Sequence, residues 1–291
     1  MFDVRFFPYP VSLIPYPLFL IPKDPMINQY FGLTANPFDP AVNELLPHQQ
    51  TVFDVLTVHA RQGGLCLLMG EPGTGKSVLK TALVDHDPKR LITPVLNRTL
   101  HTYSGSLQIL CEAFGAEAKA RDTHREKALI EVAHRLHTEG RLLMPVIDDA
   151  HLMDLDALRK LRLLFEDFPR NHCLLLVAQP PMLDKLRLLV NDDLRSRITF
   201  SHVMKPLLAE ELQAYILREL DRVGLGHNTF TEEALALLLR SSEGLLRRCR
   251  NLCVSCLLEA VRDRTKTVDL PQINRVLLQP HWRTERDLTA R

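Results

Sequence analysis

Apolar and polar positions along the chain fall into two regimes that change over at about residue 205. Before it, short unbroken apolar runs alternate with stretches whose apolar residues recur every three or four positions. Leu65-Cys66-Leu67-Leu68-Met69 predicts a buried strand, and Ser77 to Leu83 a helix soon after it. Leu91 to Leu96 predicts a second strand. Ser104 to Phe114 predicts an amphipathic helix with Ser104 or Ser106 as its N-cap, and His124 to His137 another, ended by Gly140. Leu142 to Ile147 is a further buried run; Pro145 removes a ladder donor there, so pairing must be interrupted or one-sided. Asp154 to Phe168 repeats leucine at helical spacing, and Cys173 to Ala178 is one more strand. Short parallel strands separated by helices predict an α/β fold with a three-layer αβα core. Beyond Lys205 only helical periodicity remains, at Glu210 to Val223, Thr231 to Arg240, Leu245 to Arg262 and Pro271 to Leu278. Thr231 suits an N-cap and Pro271 a first helical turn. These segments predict a small helical bundle following the core.

Composition adds limits. The 291 residues leave room for one large domain and a smaller one. A net charge of +1 gives no global pull toward nucleic acid or membrane. Arg240 to Arg291, however, holds 11 Lys and Arg against 6 Asp and Glu, a local excess of +5. That excess suits either phosphate contacts or solvated helix faces. The six cysteines are not spaced as a disulfide framework. Cys249, Cys253 and Cys256 share one helix face and are expected as small core residues, not zinc ligands. Reduced thiols fit a cytoplasmic location. In residues 1–25, aromatic residues alternate with six prolines, so no run of about 18 apolar residues survives to span a membrane. Met26 is the expected true start, with 1–25 an upstream extension or a disordered arm.

The chemistry concentrates at Gly70-Glu71-Pro72-Gly73-Thr74-Gly75-Lys76-Ser77, which matches the phosphate-binding loop G-x-x-x-x-G-K-[ST]. The glycines let backbone N–H groups turn inward onto a phosphate chain, and the helix N-terminus behind them, running on through Val78, adds positive charge. Lys76 is expected at the β- and γ-phosphates of ATP, and the Ser77 hydroxyl on Mg²⁺. Asp148-Asp149 closes the Leu142–Ile147 run. Asp148 then stands where an acid holds Mg²⁺ through water, and Asp149 where an acid polarises the attacking water. Gln179, at the end of the Cys173–Ala178 strand, is either a γ-phosphate contact or a turn residue before Pro180-Pro181. Arg195 and Arg197 close the core. Arg197 is the preferred candidate to reach a neighbouring subunit's nucleotide, the alternative being that both arginines are simply solvated.

These residues resemble those of the AAA+ ATPases, and within them the ExeA-type (general secretion pathway protein A-like) group. The resemblance covers about residues 26–279. It runs through Tyr30-Phe31-Gly32-Leu33 and Asn36-Pro37-Phe38, the phosphate loop, Ile147-Asp148-Asp149-Ala150-His151-Leu152, Val177-Ala178-Gln179-Pro180, Arg197-Ile198 and Gly244 to Cys253. It implies an AAA+ nucleotide-binding core over 26–205, a helical lid over 206–279 and a polar tail over 280–291. It makes Arg247 a second sensor reaching from the lid to the γ-phosphate, and puts adenine near Tyr30–Phe38 and Pro47-His48. Asp149 replaces the usual glutamate, Leu246 a lid proline and Ala178 a glycine. The shorter acid implies slow, partner-stimulated hydrolysis. The core is also similar to that of the TniB/TnsC-type transposition ATPases. That likeness implies a stand-alone homo-oligomer, ring or filament, that binds double-stranded DNA and regulates a transposase or integrase. The alternatives are assistance to a secretion apparatus, or a nucleotide-switched binding module with very weak hydrolysis.

Overall fold

The computed structural model describes residues 25–39, 44–97, 102–117 and 121–282. Nearly all of the 1–25 extension, and the tail beyond 282, lie outside the described residues. The helices are α1 (Pro25–Phe31), α2 (Pro47–Gln62), α3 (Lys76–His86), α4 (Tyr103–Phe114), α5 (Asp122–Thr138), α6 (Leu155–Glu166), α7 (Pro181–Arg187), α8 (Asp192–Arg195), α9 (Ala209–Val223), α10 (Glu232–Ser242), α11 (Leu246–Arg262) and α12 (Leu270–Leu277). The strands are β1 (Gly64–Gly70), β2 (Leu91–Ile92), β3 (Val95–Leu96), β4 (Leu142–Leu143), β5 (Val146–Ile147), β6 (Cys173–Ala178) and β7 (Ile198–Met204). Five of them form a parallel sheet in the order β3-β5-β6-β1-β7, and β2 and β4 form a separate pair.

The central strands are apolar without alternation because both of their faces are covered. Side chains divide by parity between two layers. Leu65, Leu67, Met69, Leu174, Leu176 and Ala178 face Leu107, Leu129 and Leu161 of α4, α5 and α6. Cys66, Leu68, Cys173, Leu175 and Val177 face Val52, Leu56, Leu79 and Leu83 of α2 and α3. This is the expected three-layer αβα core. β7 is not among the strands expected from the sequence: Thr199, Ser201 and His202 break its apolar run. It pairs only with β1, at the sheet edge, so one covered face suffices and its exposure alternates.

The single strand expected over Leu91–Leu96 is split into β2 and β3, and the Leu142–Ile147 run into β4 and β5. Pro94 and Pro145 stand at the two breaks, each without an N–H. Their carbonyls still accept, from Val146 N–H at 2.8 Å and Leu175 N–H at 2.9 Å, so Pro145 pairs one-sidedly. The N-cap of α4 is Thr102, whose hydroxyl accepts from Gly105 N–H at 3.1 Å, and neither Ser104 nor Ser106. Those two hydroxyls donate elsewhere, to Asp122 Oδ1 and to Thr102 O. Thr231 caps α10, Pro271 lies in the first turn of α12, and Gly140 follows α5 with φ 76°.

Helices α9 to α12 enclose their own core of Leu212, Ile216, Leu238, Leu252, Leu257 and Ile273. Cys249, Cys253 and Cys256 are free thiols buried within it, and burial pushes the Cys256 thiol up to about 12. They are core residues, as expected. Ile27, Phe38 and Leu46 pack into this same cluster although they precede the α/β core in the chain. Arg222 Nη2 donates to Asn36 O at 2.9 Å, and the Lys266 ammonium lies 4.0 Å from the Tyr30 ring centre. The N-terminal segment is therefore fastened to the helical body. Among the described residues, no helix is long and apolar enough to cross a membrane.

Candidate nucleotide site

In a parallel sheet every strand delivers its C-terminal end to the same edge, and neighbouring strands lie about 4.8 Å apart. The loop Gly70–Ser77 leaves β1, Gln179 leaves β6 beside it, and Asp148-Asp149 leave β5 one strand further. All three border one cleft of about 550 Å³.

Gly73 and Gly75 take φ of 92° and 99°, which bends the loop around this cleft. Thr74 is buried and its hydroxyl donates to Glu71 O at 2.9 Å, bracing the loop from behind. Pro72, Gly73, Gly75, Lys76, Ser77 and Val78 line the cleft, while Gly70, Glu71 and Thr74 shape the loop. Lys76 Nζ donates to Gly70 O at 2.6 Å and to Glu71 O at 2.9 Å. Burial, and then the charge of Arg247, push the Lys76 ammonium below its usual 10.5 against the pull of Asp149, Glu71 and Asp148. A cation held this way gains from an incoming phosphate.

The acid turn is equally constrained. Asp148 N–H donates to Leu96 O at 3.0 Å, which locks it to the strand end. Its Oδ1 accepts from Asp149 N–H at 3.1 Å, and its Oδ2 from Lys80 Nζ at 2.5 Å. Asp149 has φ 48°, a left-handed conformation that costs a non-glycine residue about 1 kcal/mol. His151 is buried two residues on. Its Nδ1 accepts from Gln179 N–H at 3.4 Å and its carbonyl from Lys185 Nζ at 2.6 Å. Gln179 is thus registered against the turn that carries Asp149.

The opposite wall comes from the helical body: Tyr215, Arg218 and Glu219 of α9, and Leu246, Arg247 and Arg250 of α11. Arg247 N–H donates to Gly73 O at 3.2 Å, joining the start of α11 to the phosphate loop. Burial, with Arg247 adding to it, lowers the pKa of the Arg250 guanidinium; Tyr215, Asp39 and Glu219 oppose the shift. The Arg250 Nε is buried without a hydrogen-bond partner.

Residues 59–186 match a family model described as an AAA domain. They form an AAA domain. Over 251 residues the chain is 29% identical to general secretion pathway protein A of Aeromonas hydrophila, covering 81% of this chain and 45% of that protein. It thus spans about half the length of that relative. Among solved structures it resembles Cdc6p from Pyrobaculum aerophilum, with TM-score 0.65 and 16% identity over 79% of this chain and 67% of that one. The Aeropyrum pernix ORC1 protein in complex with DNA gives TM-score 0.63 and 17% identity, covering 82% and 67%. The Thermotoga maritima RuvB Holliday junction branch migration motor gives 0.55 and 15%, covering 79% and 66%. The chain has the AAA+ fold, and an AAA domain implies nucleotide binding.

Within this AAA domain Ser77 and Asp148 both face the cleft, and the described residues contain no cluster of three or more His, Cys, Asp or Glu able to cage a metal. One hydroxyl and one carboxylate fit Mg²⁺, which takes its remaining ligands from phosphate and water. Arg197 does not line the cleft. It is 64% exposed, 3.7 Å from Glu166, and Arg195 is paired with Asp192 at 2.5 Å. Tyr30–Phe38 and Pro47-His48 do not line it either, against the expectation for adenine. Phe38 is buried in the helical cluster, its ring 6.3 Å from that of Tyr215, and Asp39, Glu44, Leu46 and Gln49 border the cleft instead.

Sequence reasoning missed Gln49, Lys80 and Arg250. Gln49 is 1% exposed; its Oε1 accepts from Leu46 N–H at 2.9 Å, and its Nε2 is buried without a partner beside Gly75. Arg250 is three residues after Arg247 and Lys80 four after Lys76, spacings that put each on the helix face of its known partner.

Proposed function

We propose that this chain is an ATP-hydrolysing AAA+ protein whose helical lid passes the state of the nucleotide to a partner assembly. The observation that carries this reading is the single cleft bordered by Lys76, Ser77, Asp148, Asp149, Gln179 and Arg247. The loop and Lys76 hold the phosphate chain, Asp149 polarises the attacking water, and Gln179 orients it or touches the γ-phosphate. Arg247 and Arg250 bring lid charge toward the transferring group. Mg²⁺, held by Ser77 and Asp148, would neutralise charge on the phosphate oxygens. The exposed Arg197, away from its own cleft, suits a role at a neighbouring subunit's nucleotide in a homo-oligomeric ring or filament.

For the process, the likeness to general secretion pathway protein A favours assistance to a secretion-type assembly. Regulation of a transposase or integrase on DNA has weaker support. The DNA-bound Aeropyrum neighbour speaks for it at the level of fold alone. Among the described residues, part of the basic excess after residue 240 is engaged within the chain. Arg248 pairs with Glu243, Arg262 and Arg275 with Glu259, Arg275 also with Asp263, and Lys266 with Tyr30, while Arg247 and Arg250 border the cleft.

The test is fluorescent-nucleotide titration together with a phosphate-release assay. Lys76→Ala should abolish binding, and Asp149→Asn should retain ATP but release no phosphate. Full ATP affinity in Lys76→Ala would overturn the site assignment.

A further inference from the structure

We propose that Lys80 is a built-in counter-cation of Asp148 and sets how strongly nucleotide binding depends on the metal. The inference rests on the nucleotide-site reading above. Lys80 lies outside the phosphate-loop motif, which ends at Ser77. It is one helical turn beyond Lys76 on α3, and its Nζ meets Asp148 Oδ2 at 2.5 Å. The two side chains are only 17% and 23% exposed, so solvent screens the pair weakly. Leu79 and Leu83 bury the neighbouring face of α3 and fix its rotation, which keeps Lys80 aimed at the acid turn. With Asp149 N–H on Oδ1, both carboxylate oxygens are engaged from within the chain.

The consequence follows from charge. An uncompensated carboxylate beside the phosphate chain repels it, and Lys80 cancels that repulsion when no metal is present. Once Mg²⁺ is to be bound at Asp148, the same ammonium opposes it, because like charges meet at one carboxylate. Lys80 therefore helps metal-free nucleotide and hinders metal-loaded nucleotide. Its removal moves the two affinities in opposite directions, which the loss of a merely structural contact does not do.

The experiment uses the full chain and N-methylanthraniloyl-ADP, titrated in Mg²⁺ and in EDTA. In Lys80→Met the ratio of the Kd in EDTA to the Kd in Mg²⁺ should rise about tenfold over wild type. Lys80→Gln, which keeps a hydrogen-bond donor but no charge, should raise it likewise, and Lys80→Arg should restore it. Mn²⁺ binding followed by electron paramagnetic resonance, with ADP present, should tighten several-fold in Lys80→Gln. A ratio within about twofold of wild type in both neutral variants, with normal ADP affinity, overturns this inference alone. No ADP binding by the wild-type chain overturns it together with the site reading.

Discussion

Gly75→Ala tests how closely the phosphate loop is fitted to what surrounds it. Gly75 has φ 99° and ψ 8°, and forcing an L-residue there costs about 1–2 kcal/mol. The added Cβ would lie 2.2 Å from Gln49 Nε2 and 3.3 Å from Leu246 Cδ1. Gln49 cannot swing aside freely, because it is 1% exposed and its Oε1 holds Leu46 N–H at 2.9 Å. Overpacking of this kind costs about 1–3 kcal/mol, and breaking the buried hydrogen bond about 1 kcal/mol more. Gly75→Ala should therefore lose about 3–6 kcal/mol, a large part of a typical domain's stability. In a Gln49→Ala background the obstructing amide is gone, and the backbone strain of about 1–2 kcal/mol remains with a slight adjustment of Leu246. Denaturant unfolding of wild type, both single variants and the double variant gives the coupling directly, expected at about 2–4 kcal/mol. Additivity of the two substitutions within about 0.5 kcal/mol would refute the argument.

Arg250→Ala should weaken ADP binding about tenfold, since a charge-assisted contact is lost, yet leave unfolding stability unchanged or raised because a desolvated cation is removed; nucleotide titration and denaturation check the two halves. For Lys76 the sign follows from a folded pKa below 10.5. The unfolded chain then holds the proton more tightly, so the charged amine opposes folding below the folded pKa and that opposition fades as pH rises toward 10.5. Wild type should gain stability relative to Lys76→Met across that alkaline window while its ATP affinity falls, measured by denaturation and titration at stepped pH. Lys266→Ala removes the ammonium from the Tyr30 and Phe31 rings, worth about 1–2 kcal/mol. Limited proteolysis should then cut residues 25–39 faster than in wild type.

The parts of this molecule legible in its sequence are those where one residue type has one physical use. Gly73 and Gly75 take φ above 90°, where other residues are strained, and uninterrupted Leu65–Met69 and Cys173–Ala178, bounded by turn residues, read as strands covered on both faces. β7 was hidden because an edge strand tolerates Thr199 and Ser201 on its open side and a half-buried His202 on the other. Gln49 was hidden by its neighbours, since His48-Gln49-Gln50 reads as a polar helix start. Only the spacing to Val52, Phe53, Leu56 and Ala60 puts Gln49 on the buried face and leaves Gln50 exposed. Lys80 and Arg250 look like ordinary solvated helix charges until the fold brings Asp148 and the cleft to them. Side chains whose partners lie far along the chain carry no local mark of their role.

The two bodies of the protein meet where the nucleotide would sit, and the chain crossings explain how each could sense the other. Leu46 belongs to the helical cluster, while three residues later Gln49 holds the Leu46 N–H from α2 of the αβα core. The return crossing follows β7. There Leu207 N–H donates to Gly244 O at 2.9 Å, and a Cβ on Gly244 would lie 2.6 Å from Leu207 O. Gly244, at φ 76°, leads directly into Leu245, Leu246 and Arg247, whose N–H is bonded to Gly73 O of the phosphate loop. The first crossing borders the cleft through Leu46 and Gln49, and the second is a few residues from the direct bond between Arg247 and the loop. A force on Arg247 from a bound phosphate acts at once on a helical body that also includes residues 25–39 through Ile27, Phe38, Arg222 and Lys266. On the function proposed above, that body is the element through which hydrolysis at Asp149 would reach a partner. Variants at Gly244 should therefore uncouple the partner's response from nucleotide binding while leaving the αβα core folded.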